Sequence, residues 1–290
     1  MNKHGFRASG ALVLLGVALI YGTFGVLVRG TSQMWGVDAG VAVRFSLAFI
    51  VLLAITRRSS ARLPIKKLPL VIGLGLSGAA MVLCFSWSVM MTSLAAGVFA
   101  LYAGSIISSF LVGTLYLREK TGVARILAAV LALGGIAIFA GMHWQANAGM
   151  FVGFFAGVVD TLSNVFRKKL VAVDTNNIVK LQHLIGACVV WLVVLVRQEE
   201  VIRQVTIYGI LCTAIFVGLM IAVGKMLLYG FQHFDVNTGT VVLSAELVFA
   251  SIFGLLLFGE HLAAHQLLGG LLILCASTLG AVGSHNNSAT

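Results

Sequence analysis

Few side chains in this sequence can move a proton or hold a charge where apolar residues surround them. Within the long apolar runs stand Arg44, Asp160, His183, Lys225 and Glu246. A charge in hydrocarbon is costly enough that such groups usually face a bundle interior, pair with one another or line an aqueous path. Glu246 is the strongest candidate, because it sits near the middle of its run. Asp160 lies at comparable depth in another. Burial disfavours the charged form of a carboxyl, so either acid is a candidate to take up and release a proton as a cavity opens to each side, and His183 is a third. The same two acids could instead hold a cationic substrate without titrating. Arg44 and Lys225 are the complementary pair for a substrate carboxylate or phosphate, the guanidinium through a two-pronged hydrogen bond and the ammonium as a point charge. Tyr21 and Tyr102 could line a cavity and stack a flat or apolar substrate. Against these readings stand blander ones: two ion pairs that fix helix register, a Lys225 that snorkels to the interface, a packing histidine and core tyrosines.

No catalytic or metal-binding constellation accompanies these residues. An intramembrane enzyme would need His, Asp, Ser or Cys clustered at ligand or nucleophile spacing. Cys84, Cys188, Cys212 and Cys275 each stand alone in an apolar run, without the close spacing of a metal or redox motif. Gly73, Gly75 and Gly78 spell a dinucleotide fingerprint, but they lie within an apolar run with no strand before them, where close helix packing is the better account. Neither a cofactor nor a metal is expected, nor is an enzyme. Glu119 and Glu260 sit in turns and are expected to cap the helices that follow. The sequon at Asn286 to Ser288 is expected on the cytoplasmic side, unused.

The elements that must position the buried groups follow from composition. Of 290 residues, 60% are hydrophobic and only 10% charged, and the mean hydropathy is +1.05; a soluble domain carries about 25% charged residues. The chain is therefore read as an integral membrane protein. A helix needs roughly 20 apolar residues to cross the bilayer, and ten segments meet that length: Ala8 to Val28, Gly36 to Thr56, Leu70 to Met91, Leu94 to Leu117, Gly122 to Gly141, Gly149 to Phe166, Ile178 to Val196, Val205 to Gly230, Thr238 to Gly259 and Leu262 to Val282. The net charge of +10 falls in the gaps between them, which points to topology and lipid headgroups rather than nucleic acid. With the N-terminus inside, only Arg29, Arg197 and Arg203 among the basic residues lie outside, as the positive-inside rule requires. Trp35, Trp87, Trp144 and Trp191 then fall near the outer interface, where an indole can keep its N–H wet. Both termini are expected in the cytoplasm.

A shift of 141 positions carries Glu119 onto Glu260, Gly113 onto Gly254 and Gly16 onto Gly157, and aligns segment boundaries. It sets Glu246 against Ser105 and Asp160 against Leu19, so neither acid has a charged repeat-mate. The chain divides into five-helix halves, residues 1–145 and 146–290. Five is odd, so the second half is inverted relative to the first, a plan shared by many secondary transporters.

The stretch LSAELVFASIFGLLLFGEHLAAHQLLGGLLILCASTLG, Leu243 to Gly280, resembles the last two helices of EamA-type transporters of the drug/metabolite transporter superfamily, with their Gly-Glu turn and Gln-x-x-Gly helix. GTLYLREKTGVARILAAVLALGGIAIFAG, Gly113 to Gly141, repeats that pattern more weakly, and Arg44-Phe45 resembles the Arg-Phe often found in the family's second helix. The resemblance implies an all-α fold of ten transmembrane helices in two inverted repeats around a central cavity. It departs at the fourth and ninth helices, which lack the proline common in relatives, so any bend beside the cavity is expected to rest on glycine. The function so implied is secondary active transport of small polar or amphipathic metabolites, as an exporter of amino-acid-like compounds from the cell membrane, with proton coupling a natural option. The alternatives are a drug or organic-cation efflux transporter and, from another class, a non-transporting membrane scaffold. The expected partners are a small-molecule substrate, lipid and a proton, for a monomer or homodimer.

Overall fold

Backbone N–H and C=O groups have no water to bond in a bilayer core, so a chain this apolar must satisfy them internally, as helices do. The structure is a computed structural model that describes residues 3–56, 63–92, 94–118, 122–140, 148–171, 173–258 and 263–286. Its helices are α1 (Lys3–Tyr21), α2 (Phe24–Ser32), α3 (Val37–Ile55), α4 (Leu68–Met91), α5 (Leu94–Leu115), α6 (Val123–Ala140), α7 (Ala148–Lys169), α8 (Thr175–Arg197), α9 (Ile207–His233), α10 (Val236–Leu243), α11 (Glu246–Phe258) and α12 (Ala264–Asn286), with a 3-10 turn at Ile65–Lys67. Eight stretches are long and apolar enough to cross a membrane, and α6 and α12 contain two shorter ones. These are the ten expected segments. The first and ninth are each broken into two helices, α1 with α2 and α10 with α11.

The pairing of helices follows the two-repeat plan. The second segment packs on the seventh (α3 on α8) and the fifth on the tenth (α6 on α12), each on its own counterpart. The third and fourth segments, α4 and α5, pack on α7, while their counterparts α9 and α10 pack on α1. Small residues permit the closest approaches. A Cβ on Gly157 would run into the α5 backbone at Leu101, and one on Gly135 would lie 2.9 Å from the carbonyl of Gly269. Gly73 and Gly75 face Phe166 and Ile185, and Gly78 faces Gln182, so the fingerprint glycines are sites of close helix packing.

The two breaks have different causes. In the first segment Gly22 sits against α11, where a Cβ would lie 2.9 Å from that of Phe249 and 3.0 Å from the backbone nitrogen of Ala250. Only glycine allows that crossing. In the ninth segment the break falls at Ser244-Ala245, which contains neither glycine nor proline, so the expectation of a glycine bend fails there. The Ser244 hydroxyl donates to Val241 O at 2.7 Å, and Ser277 on α12 donates to the same carbonyl at 3.1 Å. Ala245 N then reaches Val242 O, and Leu247 N reaches Ser244 O, three residues back rather than four. Serine bonding to its own helix and a short 3-10 stretch both bend a helix. All eight residues of α10 are buried, including Asn237, Thr238 and Thr240, which places the broken segment inside the bundle.

Candidate functional site

The two breaks meet at a cavity inside the bundle. Tyr21 ends α1, Glu246 begins α11, and both side chains line this space with Tyr102 from α5, Asp160 and Arg167 from α7, and Gln182 and His183 from α8. Along α9 the lining runs from Phe216 to Leu227, roughly 16 Å at the helical rise of 1.5 Å per residue. The rest of the wall is largely apolar, with Phe24, Phe45, Phe85 and Phe216 among its rings.

The charged groups in the wall are each held by a neighbour, whereas the buried Ser86 hydroxyl has no hydrogen-bond partner among the described residues. Tyr102 donates its hydroxyl to Glu246 Oε2. Asp160 Oδ2 accepts from Asn164 at 3.1 Å and from Ser105 at 3.5 Å, and Oδ1 stands 3.8 Å from Arg167 Nη1. That Arg167 nitrogen also donates to Asn164 Oδ1. Asp160, Asn164 and Arg167 are spaced at helical intervals on one face of α7, so the acid and base reach the cavity as a bridged pair. His183 donates from Nδ1 to Val179 O at 2.7 Å; a carbonyl can only accept, so this fixes the tautomer and leaves Nε2 to meet a ligand. The wall thus carries two carboxylates and one guanidinium already engaged by one of them.

The structure brings together five of the seven expected site residues: Tyr21, Tyr102, Asp160, His183 and Glu246. Lys225 is half-buried on α9, outside the lining. Arg44 is 1% exposed. Its Nε donates to Gly40 O at 3.0 Å, and its guanidinium carbon lies 4.1 Å from the centre of the ring of Phe216, which lines the cavity as Arg44 does not. Neither Asp160 nor Glu246, the two acids that could have paired with it, does so. Two charged residues escaped the sequence reading. Arg167 stands with Lys168 and Lys169 at the end of its segment, although its spacing of three, four and seven residues from the buried Asn164, Ser163 and Asp160 marks the inward face. Asp38, which no expectation named, is fully buried.

Asp38 belongs to a clamp at the end of the bundle that carries the α8–α9 connection. It accepts from Arg197 at 2.8 Å and from the Trp87 indole at 2.5 Å. Gln198, with φ of 50°, turns the chain sharply after α8. The next residue, Glu199, then accepts the backbone N–H groups of Val37, Asp38 and Ala39 at 2.8, 2.8 and 2.9 Å. Those are orphan donors of the first turn of α3, capped by a carboxylate from the other half of the chain. At the opposite end Asp235 binds Arg125 at 2.6 Å and Lys168 at 3.2 Å. Trp35 and Trp191 donate their indole N–H groups to Thr213 and Ser46, both at 3.0 Å. Three of the four expected interfacial indoles are therefore bonded to protein rather than left wet. Glu119, Glu260, Trp144 and the sequon's Asn287 and Ser288 fall outside the described residues.

Replacing Glu199 by Gln leaves one acceptor for three donors and removes the charge that opposes the helix dipole. The expected loss is about 1–2 kcal/mol, the upper range for a cap. Thermal melting of purified protein should show a midpoint a few degrees lower for Glu199→Gln, with no change for the adjacent, exposed Glu200→Gln. Equal midpoints for all three proteins would mean that the cap contributes nothing.

Two sequence segments, residues 8–141 and 147–280, match the model of the EamA-like transporter family. The chain belongs to that family. It is thus a membrane transporter of the drug/metabolite transporter superfamily, with two repeats that cover almost its whole length. No curated protein matches it. A solved structure described only as a crystal structure of a protein shares the fold of this EamA-like transporter, with a TM-score of 0.78 and 17% identity over 95% of this chain and 97% of that one.

Proposed function

We propose that this EamA-like transporter is a secondary active exporter of small amphipathic, amino-acid-like compounds, with Glu246 as the group that meets the substrate ammonium or the coupled proton. The observation that carries the reading is the pairing of an aromatic-walled cavity with a carboxylate whose described side-chain partner is a neutral phenol, at a break in the ninth segment. Asp160 is engaged by Arg167, whereas Glu246 faces the cavity without a cation beside it among the described residues. An ammonium or a proton would supply the missing positive charge. The deciding experiment is counterflow in proteoliposomes loaded with unlabelled amino acids, amines or sugar derivatives. Accumulation of labelled amino acids over sugars supports the proposal, and accumulation of simple organic amines alone would select the drug or organic-cation reading. No counterflow of any of these classes would overturn the proposed substrate class.

The domains are proposed as residues 1–145 and 146–290, in the cell membrane with both termini cytoplasmic; the charge asymmetry supports that orientation. Gln204 lies on the α8–α9 connection and Lys66 on the 3-10 turn before α4, both exposed. In a background without the four native thiols, a cysteine at Gln204 should react with an impermeant reagent added outside intact cells. One at Lys66 should react only after permeabilisation. Labelling of both from one side would defeat the proposed topology.

A further inference from the structure

Arg44 has a fully buried guanidinium, and its Nη1 has no hydrogen-bond partner among the described residues. Arginine does not shed its proton in a protein, so a positive charge with no ion-pair partner among the described residues is held beside the cavity wall. The clamp acid on the same helix as Arg44, Asp38, is already bound by Arg197 and Trp87. What covers the guanidinium is the face of Phe216, which itself stacks edge-on against Phe24 with ring centres 4.6 Å apart. A ring face attracts a cation but does not neutralise it. Phe24 and Phe216 both line the cavity, so one change in the Phe216 side chain would expose Arg44 to whatever the cavity holds.

We infer that Arg44 is a latent carboxylate site, covered by the Phe216 ring in this structure and opened when a zwitterionic substrate enters. The inference rests on the reading of this cavity as the transport site and adds a specificity to it. The ammonium lies toward Glu246 and the carboxylate toward Arg44, so the cavity prefers small amphipathic zwitterions to amines or acids alone. A planar guanidinium suits a carboxylate because it can donate two parallel N–H bonds.

The test uses the full-length protein in lipid nanodiscs and reads ligand-induced shifts of melting midpoint, converted to apparent affinity, for leucine and phenylalanine, their amides, and their deaminated acids. With wild-type protein the zwitterions are expected to bind at least tenfold more tightly than the amides. Arg44→Met should fold, since it removes a buried charge with no ion-pair partner among the described residues while keeping length, and should bind zwitterion and amide equally. Arg44→Lys keeps the charge without the fork and is the second variant should Arg44→Met fail to fold; it should lose most of the preference. Glu246→Gln should instead erase the preference for zwitterions over deaminated acids, and its failure to do so would count against the proposed function while leaving the carboxylate site standing. An unchanged acid-over-amide preference in both Arg44 variants would overturn the inference, as would no midpoint shift with any zwitterion. Replacement of gluconate by chloride is expected to change nothing; a chloride shift as large as the carboxylate shift, lost in Arg44→Met, would assign the site to inorganic anions instead.

Discussion

Glu246→Gln is expected to yield a folded transporter that no longer works against a gradient. The amide oxygen of glutamine can still accept the Tyr102 hydroxyl, and the substitution preserves volume, so insertion and packing should survive. What disappears is the negative charge at the start of α11, where the cavity meets the broken ninth segment. A hydrogen bond to a charged group contributes about 1.5–3 kcal/mol, so losing the contact with an ammonium should weaken substrate capture about tenfold to a hundredfold. If Glu246 carries the proton, transport driven by a pH gradient should fall to background while exchange of substrate for substrate continues. If it holds the ammonium, both activities should fall together. Measurement of both in proteoliposomes between about pH 5 and 8, the range over which a perturbed carboxyl can titrate, separates these outcomes. Unchanged rates in Glu246→Gln and in Asp160→Asn would leave both acids with structural roles only.

Arg167→Met should have a larger effect on the fold. Asp160 and Arg167 are 9% and 5% exposed at their side chains, and the carboxylate and guanidinium stand 3.8 Å apart with Asn164 between them. Removal of one partner leaves the other charge buried and uncompensated, which typically costs 3–5 kcal/mol. That is a large fraction of a protein's marginal stability, so the single variant should give little monodisperse protein on size-exclusion chromatography. Adding Asp160→Asn removes the stranded charge as well, and the double variant should recover its yield. Transport need not return, because a charged pair has been taken from the cavity wall. A double variant as poorly folded as Arg167→Met would show that packing around Arg167, rather than its charge, holds α7 in place.

The different fates of the two arginines, Arg44 and Arg167, also explain what sequence reasoning could reach. Depth along a segment can be read from position, and it placed Asp160, Glu246, Tyr21 and Tyr102 in the middle of apolar runs, where the structure finds them on one cavity. Azimuth is harder. Arg167 ends its segment among lysines, yet the helical repeat from Asp160 through Asn164 turns it inward, while Arg44 lies deep but against Phe216, outside the cavity lining. Charge type alone could not tell which acid either would meet. Residues far apart in the chain decide that, as Glu199 does when it caps α3 across more than half the sequence.

The sequence by itself determined the solvent, the number of crossing segments and the two-fold repetition, because each of these depends on local apolar length or on spacing along one chain; the family resemblance was carried by its Gly-Glu turn and Gln-x-x-Gly residues. Only the tertiary structure decided where the segments break and which charges share a wall. The ninth segment bends at Ser244 because Ser277, on another helix, donates to the same Val241 carbonyl as Ser244 does. Its sequence there contains no glycine or proline to announce a bend. Hydrogen bonds and ion pairs between helices are set by packing geometry, and in a bilayer, where every buried polar group needs a partner, that geometry determines which of the deep charges remains to meet a substrate.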